Sequence, residues 1–161
     1  MVDLSPSTGE GFYSGSWEDI QLVLGGLDID EGKLSVLTEK DVNKYQEMVD
    51  REIDGILEEL YHTPLTAMFR VQPDGTTKSM FPGDLRRAAR YWTAALILMN
   101  EFQQLSQNTT EQAQQYIDDS RRQIYAMKRY THRIPGQRRK SHFSRTIPPN
   151  FQPPSIPEQD F

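Results

Sequence analysis

The chain contains no cysteine among its 161 residues, which excludes disulfide bonds and thiolate metal sites. Long apolar runs are also absent: the longest, residues 94–99, has six residues, far fewer than the ~20 that span a bilayer. The first eleven residues have neither the basic region nor the apolar stretch of a signal peptide. We therefore expect no membrane helix, and a protein that is kept in a cytosol-like compartment or begins its assembly there.

A catalytic or metal-binding constellation is likewise missing from the sequence. The adjacent carboxylates Glu58-Glu59 and Asp118-Asp119 diverge by about 100° on a helix, so neither pair faces inward for acid–base chemistry. Residues 26–34 miss the spacing of both a phosphate-binding loop and a calcium loop. The histidines are not spaced as metal ligands, and no serine has the context of a catalytic nucleophile. We therefore expect no cofactor, no metal and no enzymatic activity; the histidines are His62, His132 and His142.

Charge is divided unevenly along the chain. Residues 121–161 hold nine Lys and Arg against two acids, a net charge of +7, whereas residues 1–120 hold nine against 21, a net charge of −12. Six of the ten prolines lie between positions 135 and 157, where they exclude a helix or a central strand. This pattern predicts an acidic folded body followed by an extended, basic, Pro-rich tail, residues 131–161.

Hydrophobic periodicity predicts four helices in the body. Ser16 with Asp19, and Thr38 with Asp41, form capping-box pairs that start the first two helices. Apolar residues then recur at three- and four-residue spacing along the second helix as far as Leu60.

The third helix begins near Pro82 and is expected to be the central, most buried one. The fourth begins at the cap sequence Asn108-Thr109-Thr110. Residues 67–81 predict a β-hairpin, because Pro-Asp-Gly is typical turn chemistry. We therefore predict an all-α fold: a small bundle of about four helices over residues 16–130, with one β-hairpin insertion and a long extended C-terminal tail. A flexible polar arm, residues 1–15, precedes it.

Several residues of the body are predicted to pack in the subunit core. Because a glycine in mid-helix costs roughly 1 kcal/mol relative to alanine, Gly55 indicates that another backbone approaches closely there. The predicted packing residues are Ile53, Gly55, Tyr61, Pro64 and Trp92.

Basic residues on the third and fourth helices leave two interpretations open. In the plainer one, they pair with the many acids of the second helix. In the other, they face another subunit of an oligomer. The residues are Arg86, Arg87, Arg90, Arg121 and Arg122.

Three interpretations of the tail are open: a solvated linker, an arm that binds nucleic-acid phosphates, and an arm that docks on a protein. Apolar residues recur every four or five positions between its prolines, which favours the protein-docking arm, since phosphate binding needs no apolar anchors. The candidate docking residues are Arg133, Arg138, Arg139, Lys140, Phe143, Arg145, Ile147, Phe151, Ile156 and Phe161.

Four short stretches of the body resemble a known family. Residues 51–57 (REIDGIL), the Leu-Tyr of 60–61, the Pro-Leu of 64–65 and the LRRAA of 85–89 are similar to motifs of the head–tail connector (adaptor) proteins of tailed bacteriophages. The resemblance covers roughly residues 16–130. The Gly-rich arm, the predicted hairpin and the Pro-rich tail are departures that the compact members of that family do not all share.

The resemblance implies a structural protein of the virion neck, at the head–tail interface, that is made in the host bacterial cytoplasm. It implies a ring of identical subunits, commonly twelve, that binds the portal protein through C-terminal segments and meets a downstream neck or tail protein. The ring would continue the DNA channel without sequence-specific binding, and an acidic body suits that passage. The alternative from another class is a nucleic-acid-binding accessory protein that uses its basic C-terminal arm.

Overall fold

The computed structural model describes residues 12–26, 36–102, 107–129 and 134–140. These residues are mostly helical, so the predicted all-α class and its four helices are confirmed. A short two-stranded ribbon lies between the second and third helices. The elements in chain order are α1 (Trp17–Gly25), α2 (Glu39–Leu57), β1 (Met68–Val71), β2 (Thr77–Met80), α3 (Gly83–Glu101) and α4 (Gln107–Lys128).

Both predicted capping boxes are confirmed. At α1, the backbone N–H of Ser16 donates to the carboxylate of Asp19 at 3.2 Å. At α2, the Thr38 hydroxyl accepts from the backbone N–H of Asp41 at 3.3 Å, and the Asp41 carboxylate accepts from the Thr38 N–H at 3.3 Å. Each pair satisfies backbone donors that the first turn of a helix leaves unpaired.

The third helix is the centre of the bundle, as predicted. It packs against α1, α2 and α4, and its small residues Ala88, Ala89, Ala94 and Ala95 are buried together with Trp92. Small side chains on several faces let three neighbouring helices approach the same helix closely. The core is therefore arranged around α3.

The strands β1 and β2 pair antiparallel, with Met68 opposite Met80 and Val71 opposite Thr77. At the turn between them, Gly75 has φ +82°, a left-handed conformation that glycine adopts without strain. The Asp74 carboxylate accepts from the backbone N–H of Thr76 at 2.9 Å and holds the turn.

Two helix ends differ from the prediction. The helix α2 ends at Leu57 rather than Leu60, because the following residues form a turn in which the N–H of Tyr61 donates to the Leu57 carbonyl at 2.8 Å. At the other end of the bundle, α4 begins at Gln107. The predicted cap residue Asn108 therefore lies inside the first turn of that helix.

Two of the predicted packing residues are not in the core. Ile53, Tyr61 and Trp92 are buried, but Gly55 and Pro64 are exposed. A Cβ atom added at Gly55 would meet nothing within 4 Å, so the described residues do not supply the predicted close approach of another backbone. Gly55 lies on the solvent side of α2, opposite the apolar face that covers α3.

Candidate partner interface

Three of the ten predicted docking residues lie in the described part of the chain. Arg138 is exposed, and Arg139 and Lys140 are partly buried. The others lie outside the described residues: Arg133, Phe143, Arg145, Ile147, Phe151, Ile156 and Phe161.

Residues 134–140, here called the C-terminal segment, are bound to the body rather than extended away from it. The N–H of Lys140 donates to the Leu60 carbonyl at 2.8 Å, and the N–H of His62 donates to the Arg138 carbonyl at 3.3 Å. These bonds flank an isolated antiparallel bridge between Tyr61 and Arg139. The prediction placed the whole of 131–161 in an extended tail, but the C-terminal segment is fastened to the turn after α2.

Tyr61 is the centre of this attachment. Its buried hydroxyl accepts from the N–H of Ile134 at 3.1 Å and from Nε of Arg139 at 3.4 Å, and it donates to the Met127 carbonyl at 3.4 Å. The guanidinium carbon of Arg139 lies 5.6 Å from the centre of the Tyr61 ring. The Arg139 side chain is therefore engaged by the body, whereas Arg138 is open to a partner.

The turn before this bridge is equally specific. Gln137 is buried, and its side-chain amide accepts from the N–H of Thr66 at 2.9 Å and donates to the Thr66 carbonyl at 2.6 Å. Gly136 has φ +73°, and a Cβ there would lie 2.5 Å from Sδ of Met68. The sequence signal was Pro135-Gly136, a dipeptide typical of turns that need a positive φ.

A groove borders the arginines of α3. Here called the arginine groove, it has a volume of about 500 Å³ and joins α1, α3 and α4. An adjoining cleft of about 440 Å³ shares Arg87, Tyr91 and Tyr116 with it. The two tyrosine rings meet edge to face at 4.9 Å. Arginine and tyrosine are residue types enriched at protein interfaces, and the exposed Leu22 lies at the edge of the groove.

The arginines of this groove are not equivalent. Arg90 pairs with Asp19 at 2.7 Å, and its Nε donates to the Ser14 carbonyl at 2.8 Å. Burial lowers the pKa of the Arg90 guanidinium, and the like charge of Arg86 lowers it further. Within the described ranges, neither Arg86 nor Arg87 has an ion-pair partner.

The other two predicted interface arginines lie on α4. Arg122 is exposed and pairs with Asp119 of its own helix at 3.5 Å, and the guanidinium carbon of Arg121 lies 5.1 Å from the Trp92 ring centre. The plainer interpretation paired all five arginines with acids of α2. In the described part of the chain their ion pairs go instead to Asp19 of α1 and to Asp119.

Part of the N-terminal arm is also attached to the body, at a site that the sequence analysis did not predict. Residues 12–16, here called the N-terminal segment, lie against α2 and α3, although the prediction placed residues 1–15 in a flexible arm. The N–H of Tyr13 donates to both carboxylate oxygens of Asp50 at 3.3 Å. Its hydroxyl donates to Asp54 at 2.5 Å and accepts from the N–H of Leu65 at 2.8 Å.

The environment of these two carboxylates is unusual. Burial raises the pKa of Asp50 to about 7, and burial also raises the pKa of Asp54. Burial and the hydrogen bond to Asp54 raise the pKa of the Tyr13 phenol, which therefore stays protonated at neutral pH. The i, i+4 spacing of Asp50 and Asp54 beside the apolar face of α2 was the signal, since it places both on one side of the helix.

Residues 12–26, 36–102, 107–129 and 134–140 bring together no group of three His, Asp or Glu that could hold a metal ion. Among the helices of those ranges, none combines the length and the apolar character needed to cross a membrane.

The chain was compared with protein-family models, with curated proteins and with solved structures. No family model matches it, and neither the curated proteins nor the solved structures yield a match.

Proposed function

We propose that the chain is a structural subunit of a tailed-phage neck, a head–tail connector that docks on the portal protein through its basic C-terminal residues. The proposal starts from the resemblance of residues 51–57, 60–61, 64–65 and 85–89 to connector proteins. The protein acts by binding and has no catalytic role. Its place is the neck of the virion, between the portal and a downstream neck or tail protein.

One observation carries the docking role: the chain is tied to the body at residues 138–140 by backbone pairing with 60–62. Residues 141–161, with their regular phenylalanine and isoleucine positions, therefore start from a fixed base. A fixed base reduces the conformational entropy lost when an extended segment binds. The exposed Arg138 adds a basic contact at that base for an acidic portal surface.

The arginine groove supports the second part of the proposal, a ring of identical subunits. Arg86 and Arg87 lie in a groove with two tyrosines, and the surrounding body is strongly acidic. An acidic face of a neighbouring copy complements that groove in charge. The ring, of about twelve subunits, continues the DNA channel. The hairpin forms an insertion on the bundle, and residues 141–161 an extended arm.

The docking role is tested by removing residues 141–161 and keeping the C-terminal segment. We expect the shortened protein to keep its helical circular dichroism but to be lost from particles in a phage complementation assay. A matched pair of full-length variants refines the test. Changing Phe143, Phe151 and Phe161 to alanine should reduce incorporation, whereas changing Ser141, Ser144 and Ser155 to alanine should not. Normal incorporation of the shortened chain would contradict portal docking.

A DNA-binding assay separates the connector from a nucleic-acid-binding protein. Binding to a 30-base-pair DNA duplex that falls steeply with salt, and that is lost when Arg138 and Lys140 are neutralised, would favour the latter. For the connector we expect weak duplex binding, because the acidic body repels DNA.

A further inference from the structure

The N-terminal segment is fastened across the bundle by hydrogen bonds to α2 and to the backbone of Leu65. Tyr13 contacts Asp50 and Asp54 of α2 and the backbone of Leu65. Nε2 of the buried Gln46 donates to the Ser14 hydroxyl at 2.7 Å and to the Gly15 carbonyl at 2.9 Å. A segment without regular secondary structure is thus held by side chains separated from it by more than 30 residues in the chain.

Among the described residues, no basic side chain pairs with the acids of this attachment. The charged groups that act on Asp50 are Asp54 and Glu47, both acidic and both on α2, and Glu58 acts in the same way on Asp54. From the N-terminal segment only the uncharged Tyr13 faces them. On α3, Arg90 reaches the segment at Ser14, where it also pairs with Asp19 of α1, and not at Asp50.

One buried polar atom of α2 lacks a hydrogen bond. Oε1 of Gln46 is buried and has no hydrogen-bond partner among the described residues. A buried polar atom without a partner costs on the order of 1–3 kcal/mol, because it has lost its hydrogen bonds to water. The closed state, in which this atom is buried, is therefore less favourable than its hydrogen bonds alone would indicate.

We propose that the N-terminal segment is a proton-controlled latch: it closes on α2 when Asp50 is protonated and opens more readily when Asp50 is ionised. Closing removes water from the Asp50 carboxyl, which lies near Asp54 and Glu47 of the same helix, and this burial disfavours the negative charge more than the 3.3 Å contacts from the Tyr13 N–H favour it. Opening returns the carboxylate to water. The proposal stands independently of the connector function.

The direction of the pH dependence follows from linkage. The pKa of Asp50 is raised to about 7 in the closed state, whereas a carboxyl in water titrates near its ordinary value of 3.8. The contribution to closing is therefore fully present below about pH 4 and is lost as the pH rises through about 7. The contacts of Ser14 with Gln46 and Arg90 do not titrate in this range, so the change comes from the carboxyls.

Opening the latch also changes the surface of the body. The Tyr13 ring covers Phe81 edge to face, with centroids 4.8 Å apart, and its hydroxyl satisfies the N–H of Leu65. Release of the segment exposes an aromatic ring, a backbone donor and two carboxylates on one side of α2. That surface is available to a partner only in the open state.

Hydrogen–deuterium exchange on the full chain tests the latch through the amides of Tyr13 and Leu65, which both lose their acceptors on opening. After correction for the intrinsic pH dependence of exchange, we expect both amides to be about tenfold better protected at pH 5.5 than at pH 8. In Asp50→Asn, which keeps the shape and removes the charge, protection should be high and the pH difference should shrink to the part that Asp54 contributes. The matched control is Asp118→Asn on the exposed side of α4, which should keep the wild-type difference.

Two results would overturn the proposal. One is equal protection of the two amides at both pH values in the wild-type chain. The other is a pH difference that persists unchanged in Asp50→Asn. If Asp50→Asn is poorly folded, Tyr13→Phe gives a second route: both amides should exchange faster at every pH, with the pH difference retained, and an absent difference would count against the latch.

Discussion

The N-terminal and C-terminal segments are both fastened across the bundle, but the chemistry of the two attachments differs. The N-terminal segment is held by the carboxylates Asp50 and Asp54, whereas the C-terminal segment is held by backbone pairing, the amide of Gln137 and the phenol of Tyr61. In the first set, burial raises the pKa of Asp50 to about 7. In the described part of the chain, the second set contains no carboxylate.

This difference separates two roles within one small bundle. An attachment that depends on protonation can be opened by the environment, whereas one built from neutral groups and backbone keeps its strength. The C-terminal segment therefore suits a permanent base for the residues that follow it. The N-terminal segment suits a reversible cover for α2.

The largest expected effect is at Tyr61, where a buried ring and three hydrogen bonds coincide. Tyr61→Ala should lower the free energy of unfolding by about 3–5 kcal/mol, because it leaves a cavity and removes the acceptor for Ile134. Urea unfolding followed by circular dichroism measures it. The conservative Tyr61→Phe should cost about 1–3 kcal/mol, with the same loss at pH 5.5 and pH 8. A loss that changes strongly with pH would remove the contrast between the two attachments.

The next effect is at Gly136, on the turn of the C-terminal segment. Gly136→Ala should cost about 1–3 kcal/mol for the positive φ, with a further loss because the new Cβ meets Sδ of Met68. Gly75→Ala is the matched control, since Gly75 has a similar φ of +82° and open space around it. The difference between the two variants in thermal unfolding isolates the clash. Equal losses would show that Met68 moves aside freely.

Tyr13→Phe tests the N-terminal segment in the same way. It removes the hydrogen bond to Asp54 and leaves the N–H of Leu65 without its acceptor, so we expect a loss of about 1–3 kcal/mol in urea unfolding. Tyr45→Phe is the comparison, because that hydroxyl donates to Glu101 at 2.6 Å but serves no buried backbone donor. Equal losses in the two variants would contradict the importance of the Leu65 contact.

The smallest effect is expected at Gly55, which neither attachment touches. Gly55→Ala should raise the stability of the isolated chain by up to about 1 kcal/mol, because alanine favours a helix and the site is open. Thermal unfolding of the isolated chain measures this. If Gly55→Ala instead destabilises the chain, the added methyl group meets another atom, which contradicts the open space at this site. The bulkier Gly55→Leu variant then tests assembly. If assembly is lost while the stability of the isolated chain is kept, Gly55 lies against a neighbouring molecule.

The helices and their starts were predictable because their signals are local. Ser16 with Asp19, and Thr38 with Asp41, lie three residues apart, and periodicity reports each helix within its own window. Gly55 shows the limit of the same reasoning: its local cost in a helix predicts packing, but the site is exposed. The burial of a residue of α2 depends on whether its face of the helix packs against another element. Sequence spacing alone does not reveal whether anything packs against the face that carries Gly55.

The two attachments were not predictable, because each joins residues far apart in the chain. Tyr13 and Asp50 are separated by 37 residues, and Thr66 and Gln137 by 71. Proline and basic residues near position 135 indicated an extended tail, yet a turn at Pro135-Gly136 returns the chain to the body. Glu58 and Glu59 form a pair in the sequence because they are adjacent. Asp50 and Asp54, in contrast, act together only because Tyr13 contacts both.

The bridge between Tyr61 and Arg139 also has a mechanical consequence. Tension applied to the chain beyond Lys140 reaches the two flanking backbone hydrogen bonds and the Tyr61 ring before it reaches the end of α4. The pulling force is thus borne by the turn after α2, in the middle of the sequence. A chain attached in this way resists unfolding helix by helix from its C-terminal side.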